Sequence, residues 1–172
     1  MYHTQYTKAE NTQAATQAIS DADDGKFLAG GMTLIPTMKQ RLAAPDLLVD
    51  LSACNLSFIE ETKEGVKIGA MTTHADVASS TVVQSKLPSL AHLARHIGDP
   101  QVRNRGTIGG SLANNDPSAC YPAAILALGG VNHTSQRDIK ADDFFVGLFE
   151  TALNEDEIIE AVSLPESRIS AY

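Results

Sequence analysis

Two pairs of adjacent glycines constrain the fold of this chain more than any other feature. Gly30-Gly31 lies in LAGGMTLIP, residues 28–36, and Gly109-Gly110 lies in TIGGSLANNDPSACYP, residues 107–122. Neither stretch shows the apolar periodicity with which a helix or strand buries one face. Adjacent glycines are typical of tight turns, because a residue without Cβ adopts backbone conformations that other residues avoid. We therefore expect two turns, each of which leaves a strand.

Helical and extended patterns alternate along the remainder of the chain. Helical patterns cover residues 7–22, 34–42, 73–80, 88–97 and 122–128. Strand patterns cover residues 26–29, 47–51, a hairpin around 63–65, 66–70, 131–134, 137–140 and 156–164. Thr73 is a predicted N-cap, Pro88 suits a first helical turn, and LLVDL (47–51) is typical of a buried parallel strand. The alternation predicts an α+β fold.

Charge and composition exclude several classes of function. The net charge of -8 argues against binding to nucleic acid or to an anionic membrane surface, because both need a basic footprint. The two cysteines, Cys54 and Cys120, are far apart and lack metal-type spacing, so we expect no disulfide framework. The N-terminal MYHTQYTKAE is polar, and no apolar run has membrane length. We therefore expect a cytoplasmic protein without membrane insertion.

Glycine-rich turns suit the binding of phosphate. A backbone without Cβ can turn several N–H groups toward one anion, and two such turns could grip a diphosphate between them. Tight turns with no ligand are the alternative interpretation. No two glycines are two residues apart, so the motif G-x-G-x-x-G is absent. Gly25-Lys26 is followed by Phe27 rather than by Ser or Thr, so a P-loop motif is absent as well. A dinucleotide bound here would therefore not be bound by a Rossmann fold or a P-loop.

Other polar residues give weaker signals. His92 and His96 have the i, i+4 spacing of a metal pair, which keeps a metal hydrolase as one hypothesis, although no third ligand is evident. A surface pair is the alternative. Arg103 and Arg105 precede the second glycine pair and could face phosphate, a partner subunit or solvent. His74 is interpreted as a residue near a helix start rather than a catalytic group.

Several motifs together resemble one known family. IGDPQVRNRGTIGGSLANNDP (97–117), LAGGMTLIPTMKQRLAAP (28–45) and IGAMTTHADVA (68–78) closely resemble the FAD-binding medium subunit of the molybdenum hydroxylases, which include carbon monoxide dehydrogenase and xanthine dehydrogenase. ADDFFVGLFETAL (141–153) and the Leu-Pro at 164–165 continue the match. The resemblance covers the chain from about residue 25 onward and is specific, because both glycine motifs occur in order.

The resemblance implies a fold, a cofactor and a set of contacts. The fold is the two-lobed α+β FAD-binding domain shared by molybdopterin dehydrogenases and PCMH-type flavoproteins, with FAD between lobes of residues 1–55 and 56–172. The resemblance implies that a first loop, residues 28–35, and a second loop, residues 107–111, wrap the diphosphate. It also implies that Ile97 packs near the isoalloxazine and that Ile159 makes a backbone contact near the flavin. The implied cofactor-binding residues are Leu28, Ala29, Gly30, Gly31, Met32, Thr33, Leu34, Ile35, Ile97, Thr107, Ile108, Gly109, Gly110, Ser111, Asp116, Cys120 and Ile159.

The chain departs from the family pattern at two points. Cys120 stands where the family usually has an acidic side chain, and a thiol cannot accept hydrogen bonds as a carboxylate does, so Asp116 is expected to compensate. The family's C-terminal domain, with a further lysine contact to the flavin, would follow Tyr172 and is expected to be absent from this chain.

The implied activity is electron transfer within a larger enzyme. Relatives in the family accept electrons from an iron–sulfur small subunit, which receives them from a molybdopterin large subunit. The flavin then passes these electrons to an external acceptor. We therefore expect an oxidoreductase subunit in a heterotrimer, single or dimerised, with no catalytic residue and no metal site of its own. A non-catalytic nucleotide- or anion-binding module of the same fold is the alternative.

Overall fold

A computed structural model of the chain describes residues 2–167. The strands β1 to β10, in chain order, are Gln5–Lys8, Gly25–Leu28, Leu47–Asp50, Ile59–Glu61, Gly65–Gly69, Val131–Thr134, Asp138–Lys140, Phe145–Gly147, Glu150–Thr151 and Ile159–Pro165. The helices α1 to α9 are Thr12–Ser20, Leu34–Lys39, His74–Ser79, Thr81–Lys86, Pro88–His96, Pro100–Arg103, Ile108–Asn114, Cys120–Ala127 and Ala141–Phe144. This mixture confirms the predicted α+β class.

Three short parallel strands form the first sheet, in the order β1-β3-β2. Gln5 of β1 and Gly25 of β2 both pair with Leu47, so β3 runs between its two neighbours. Val49 in β3 is fully buried, which confirms the prediction of a buried parallel strand. Beside this sheet lies a small core made of Ala9, Ala15, Ile19, Val49, Leu51, Cys54, Leu56 and Ile158.

The first helix is shorter than the predicted range of residues 7–22. The side chain of Asn11 accepts a hydrogen bond from the backbone N–H of Ala14 at 2.8 Å and caps α1. Thr7 pairs with Val49 of β3 and therefore lies in a strand. The prediction was wrong at this end, because helical spacing within a window does not show that a distant strand offers backbone hydrogen bonds.

Five strands form the second sheet, which is antiparallel and has the order β4-β5-β10-β6-β7. The hairpin predicted around residues 63–65 is confirmed as the connection of β4 to β5. The last strand in the sequence, β10, is the middle strand of this sheet, since Ala161 pairs with Gly69 on one side and with His133 on the other. A bulge between Ile159 and Ala161 shifts the register where β10 begins.

Helices cover one face of the second sheet and form the large core. Thr73 caps α3 and Pro88 opens α5, as predicted. The largest side chains of this core that are almost inaccessible to solvent are Ile68, Leu87, Leu90, Leu93, Ile108, Leu112, Tyr121, Ile125, Phe144 and Leu164.

The two cores meet at the start of β10. Ile158 belongs to the small core, and the next residue, Ile159, belongs to the large one. The division into lobes at residue 55 stays a prediction. Between residues 2 and 167, no helix has both the length and the apolar character needed to cross a membrane.

Candidate functional site

A cavity of about 540 Å³ lies between the first glycine loop, residues 29–33, and helix α7. This volume is typical of a small-molecule or cofactor site. The predicted residues that line it are Leu28, Ala29, Gly30, Gly31, Met32, Thr33, Leu34, Thr107, Gly109, Gly110, Ser111, Asp116 and Ile159. The structure therefore brings both glycine motifs to one cleft.

Four predicted residues do not line this cavity. Ile108 is fully buried in the large core, and Ile97 and Cys120 pack against that core. Ile35 follows the first loop within α2, where its side chain lies near Gly31. Ile97, Ile108, Ile35 and Cys120 are therefore placed to shape the surroundings of the cleft rather than its wall.

The first glycine loop and the first residue of α2 present a run of backbone N–H groups without protein acceptors. Within residues 2–167, the amides of Gly30, Gly31, Met32, Thr33 and Leu34 donate no hydrogen bond to the chain. Gly31 has a φ of 73°, in the left-handed region that favours glycine. Successive free N–H groups in a turn are suited to an anion, because they supply partial positive charge and fixed donors.

The second glycine pair is not a turn. Gly109 and Gly110 lie in the first turn of α7, and the Thr107 side chain caps this helix by accepting from the Gly110 amide at 3.1 Å. The Ile108 and Gly109 amides donate to the carbonyls of Thr72 and Ala70 at 3.1 and 2.9 Å. These two amides are not free to bind a phosphate, so the prediction of a second backbone cradle was wrong in its geometry.

Close packing explains the glycines at the bottom of the cleft. A Cβ on Gly109 would lie 2.5 Å from the Ala70 Cβ, and a Cβ on Gly30 would lie 2.0 Å from the Arg105 carbonyl oxygen. Neither distance is compatible with a side chain, so both positions require glycine. The contact of Gly30 with Arg105 joins the first glycine loop directly to the segment that precedes α7.

Sequence reasoning missed several residues of the cavity wall. They include Lys26, Phe27, Leu51, Ala70, Met71, His74, Val102, Gly106, Ala113, Asn114, Ser118, Ala119, Leu153, Glu157 and Ile158. Lys26 and Phe27 adjoin the predicted loop and could have been found by extending it. Gly106, Ala113, Asn114, Ser118 and Ala119 lie in or beside the second glycine motif and could have been found in the same way. Leu51, Val102 and Leu153 come from other elements, and nothing in their local sequence indicates that the fold brings them to the cleft.

Glu157 is a buried carboxylate in this wall. It accepts hydrogen bonds from Arg137 Nε at 3.1 Å, from Thr134 Oγ1 at 2.6 Å and from the Asn154 amide at 3.0 Å. Burial alone would raise the pKa of Glu157, but these hydrogen bonds and the charge of Arg137 lower it overall. The ionised carboxylate thereby fixes the turn that leads into Ile158 and Ile159.

The remaining polar candidates have structural partners. Arg103 donates from Nη1 to the carbonyls of Ile97 and Gly98 at 3.0 and 2.8 Å. Its guanidinium therefore links α6 to the end of α5. The rings of His92 and His96 contact edge to face, and both residues lie on the exposed side of α5. In the part of the chain from Tyr2 to Ser167, no three or more His, Cys, Asp or Glu side chains gather as a metal site would require.

A family model identifies the domain that contains this cleft. The model described as the FAD binding domain in molybdopterin dehydrogenase matches residues 2–167. The chain belongs to this family. Membership confirms the resemblance drawn from the glycine motifs, and it assigns FAD as the cofactor of the fold.

Relatives of this FAD-binding domain include subunits of several dehydrogenases. The glyceraldehyde dehydrogenase medium chain of Sulfolobus acidocaldarius is 39% identical over 165 residues, which are 93% of this chain and 59% of the relative. The carbon monoxide dehydrogenase medium chain of Hydrogenophaga pseudoflava is 42% identical over 171 residues, 95% of this chain and 58% of the relative. The chain thus spans about three fifths of the length of these relatives.

Solved structures show the same fold. A structure of carbon monoxide dehydrogenase from Hydrogenophaga pseudoflava, which lacks the Mo-pyranopterin moiety, superposes with a TM-score of 0.94 at 38% identity and covers 97% of this chain and 60% of that one. Quinoline 2-oxidoreductase from Pseudomonas putida 86 gives a TM-score of 0.92 at 32% identity, over 96% of this chain and 60% of that one.

The residues of the cleft fit FAD. The free amides of residues 30–34 suit its diphosphate, and the Thr33 and Ser111 hydroxyls, which donate to no group within residues 2–167, suit polar groups of the ligand. The apolar side chains of Phe27, Met71 and Ile158 offer a surface to ring systems.

Proposed function

We propose that this chain is the FAD-binding part of an electron-transfer subunit in a molybdenum hydroxylase. Its relatives are medium chains of multi-subunit dehydrogenases, which supports partners equivalent to an iron–sulfur small subunit and a molybdopterin large subunit. The flavin, when bound, supplies the redox chemistry that passes electrons from iron–sulfur clusters to an external acceptor. The enzyme's substrate would be oxidised on the large subunit.

The observation that carries the proposal is the run of unpartnered amides in the first glycine loop. A loop that leaves five consecutive N–H groups without acceptors is stable only with water or an anionic ligand against it. The cavity-lining members of the predicted set hold the cofactor in this proposal. Thr33 and Ser111 approach it from opposite walls, on the first glycine loop and on α7.

The chain's contribution to the reaction is to bind, orient and shield the cofactor. Backbone donors and hydroxyls fix its polar groups, while the Phe27, Met71 and Ile158 side chains exclude water from its ring system. None of the residues in the wall is assigned a proton-transfer or nucleophilic role.

The first experiment measures binding of FAD, FMN and ADP-ribose to the purified chain by flavin fluorescence and calorimetry. We expect FAD to bind more tightly than FMN, because the free amides suit a diphosphate better than a single phosphate. Thr33→Val and Ser111→Ala should each weaken FAD binding about fivefold, the cost of roughly one hydrogen bond. Ser20→Ala, a helical serine of α1 outside the cavity, is the matched control.

The second experiment tests electron transfer. The FAD-loaded chain, mixed with iron–sulfur and molybdopterin subunits, should lose flavin absorption when the substrate of those subunits is added, whereas the chain alone should not. Tight ADP-ribose binding with no uptake of flavin would instead support a nucleotide-binding module without redox function. Substrate-driven bleaching by the isolated chain would contradict the proposal, because it requires a substrate site on this chain.

A further inference from the structure

His74 is a buried residue of the cavity wall that neither the family assignment nor the proposed cofactor contacts account for. It is the first residue of α3 and only 5% exposed. Its Nδ1 atom is buried without a hydrogen-bond partner in residues 2–167, and so is the hydroxyl of Tyr121. The two rings are in contact, with centroids 5.2 Å apart and planes tilted by 45°. Packing rather than hydrogen bonding therefore holds the imidazole in place.

The His74 ring also touches Gly106. A Cβ on Gly106 would lie 2.5 Å from Nε2 and 2.9 Å from Cδ2 of the ring, so the glycine backbone rests directly on the imidazole edge. The His74 amide also donates to the Gly106 carbonyl at 3.0 Å, and Thr73 forms an antiparallel bridge with Thr107. The side chain and the backbone thus fix the same turn, immediately before α7.

Gly106 and its neighbour Arg105 then meet the first glycine loop. A Cβ on Gly30 would lie 2.0 Å from the Arg105 oxygen and 3.0 Å from the Gly106 Cα. Tyr121, His74, Gly106 and Gly30 therefore form a continuous contact chain, which we name the His74 stack. It runs from the large core to the loop whose amides are free.

We propose that His74 is a positioning residue that sets the distance between the first glycine loop and α7, and thereby the cofactor affinity of the cleft. The inference rests on the proposed function, since the affinity in question is that for FAD. Without the ring, Gly106 loses its support, and the loop that rests on it through Gly30 is free to shift. Closely packed groups transmit such a change because no void absorbs it.

The charge state of the ring fits a packing role. Burial lowers the pKa of His74 to about 4, so the imidazole is neutral near pH 7. The titratable groups on α3, on the helices packed against it and on the segments that the ring touches are Asp76, Lys86, His92, Arg95, His96, Arg103, Arg105, Cys120 and Tyr121. None of them donates to or accepts from the ring, and the Asp76 carboxylate accepts from the Thr73 hydroxyl at 2.6 Å.

A double-mutant cycle on His74 and Gly106 tests the inference. Gly106→Ala places a methyl group against the imidazole and should weaken FAD binding about tenfold or more, as should His74→Ala, which removes the support. In the double variant the new methyl group occupies part of the space left by the imidazole. We expect its FAD affinity to recover to within about threefold of that of the wild type.

Two controls make the cycle specific. Ile139→Ala creates a cavity in the same core but away from the cleft, so it should lower the melting temperature without changing FAD affinity. Val83→Ala, at a fully buried position of the same core outside the cavity wall, should behave in the same way.

Each outcome separates the inference from the function on which it rests. Suppose that the wild type binds FAD. The proposed role of His74 is then wrong if the fold-changes in FAD affinity of the two single variants multiply to give that of the double variant. It is also wrong if His74→Ala weakens FAD binding no more than Ile139→Ala does. If the wild type binds no FAD, the proposed function fails, and the same cycle measured on the free energy of unfolding still reports the coupling. If Gly106→Ala does not fold, the comparison of His74→Ala with Ile139→Ala decides.

Discussion

Cys120 shows how a family position can change its role with its surroundings. The thiol lies at the first position of α8 and packs against the large core, outside the cavity wall, whereas Asp116 lines the cavity and accepts from the Ser118 amide at 2.8 Å. The sequence predicts that a carboxylate at position 120 would tighten FAD binding. The position of the side chain removes the basis for that expectation.

We expect Cys120→Asp to leave FAD affinity within about twofold of that of the wild type, because the side chain lies outside the wall of the cavity. Asp116→Asn is the informative partner. It removes a charge from the wall while keeping the shape, and should change the affinity severalfold. Fluorescence titration of both variants checks the prediction, and a Cys120→Asp variant that gained tenfold in affinity would restore the carboxylate role.

His74 also predicts a dependence of stability on pH. Its pKa falls from 6.5 to about 4 on folding, so protonation favours the unfolded chain. The stability that comes from the neutral ring is complete above pH 6.5 and is lost as the pH falls from 6.5 toward about 4. The loss amounts to about 3 kcal/mol for a shift of this size. Urea unfolding across this window should show a steeper loss of stability in the wild type than in His74→Gln, because the variant keeps the contributions of carboxylates such as Glu157 but not that of the imidazole.

Helix α7 shows why a pair of glycines does not always form a turn. Two glycines and several small polar residues give little local preference for a helix. The Thr107 cap is local, but the carbonyls of Thr72 and Ala70, which accept from the Ile108 and Gly109 amides, come from another part of the chain. By contrast, β3 and the start of α3 were predictable, because an apolar run, and a capping threonine followed by residues without glycine, are signals contained in the segment itself.

The limits of sequence reasoning follow the same rule elsewhere. The first glycine loop could be predicted as a turn with free amides, because that geometry depends on its own backbone. The walls formed by His74 and Glu157 were not, because their roles depend on contacts with Gly106 and Arg137. Strands β8 and β9 lacked a usable signal, and the side-chain amide of Asn115, which donates to the Gly147 and Glu150 carbonyls, holds their hairpin in place.

The turn before β10 should depend on its buried carboxylate. Glu157→Gln removes the charge that Arg137 and the Asn154 amide stabilise, and we expect it to lower the free energy of unfolding by about 2 kcal/mol near neutral pH. Since the pKa of Glu157 is lowered, the difference from the wild type should shrink as the pH falls below 4.5. Asp24→Asn, at an exposed ion pair with Lys26, should cost less than about 0.5 kcal/mol in the same urea titrations.

The cleft lies where the two hydrophobic cores meet. Its wall includes Ile158 of the small core and Ile159 of the large one, as well as the first glycine loop and α7. A ligand that contacts all of these elements stabilises them together, because it binds only when they are correctly arranged.

We therefore expect FAD to slow amide hydrogen exchange on both sides of the cleft, in β1 to β3 as well as in α7 and the start of β10. Hydrogen-exchange mass spectrometry with and without saturating FAD measures this directly. Thr33→Val and Ser111→Ala at equal ligand concentration should reduce the protection on both sides. Protection confined to one side would mean that the ligand does not bridge the cores.

The central place of β10 also has a consequence for biogenesis. A ribosome delivers the β4–β5 hairpin early, yet the strand that covers the inner edge of β5 emerges only after α3 to α9 have been made. During that interval the edge of β5 offers unpaired backbone groups to any other extended chain, which is the usual beginning of aggregation. Nascent chains of this protein are therefore vulnerable until translation has passed Pro165, and chaperones that cover exposed strands should raise its yield.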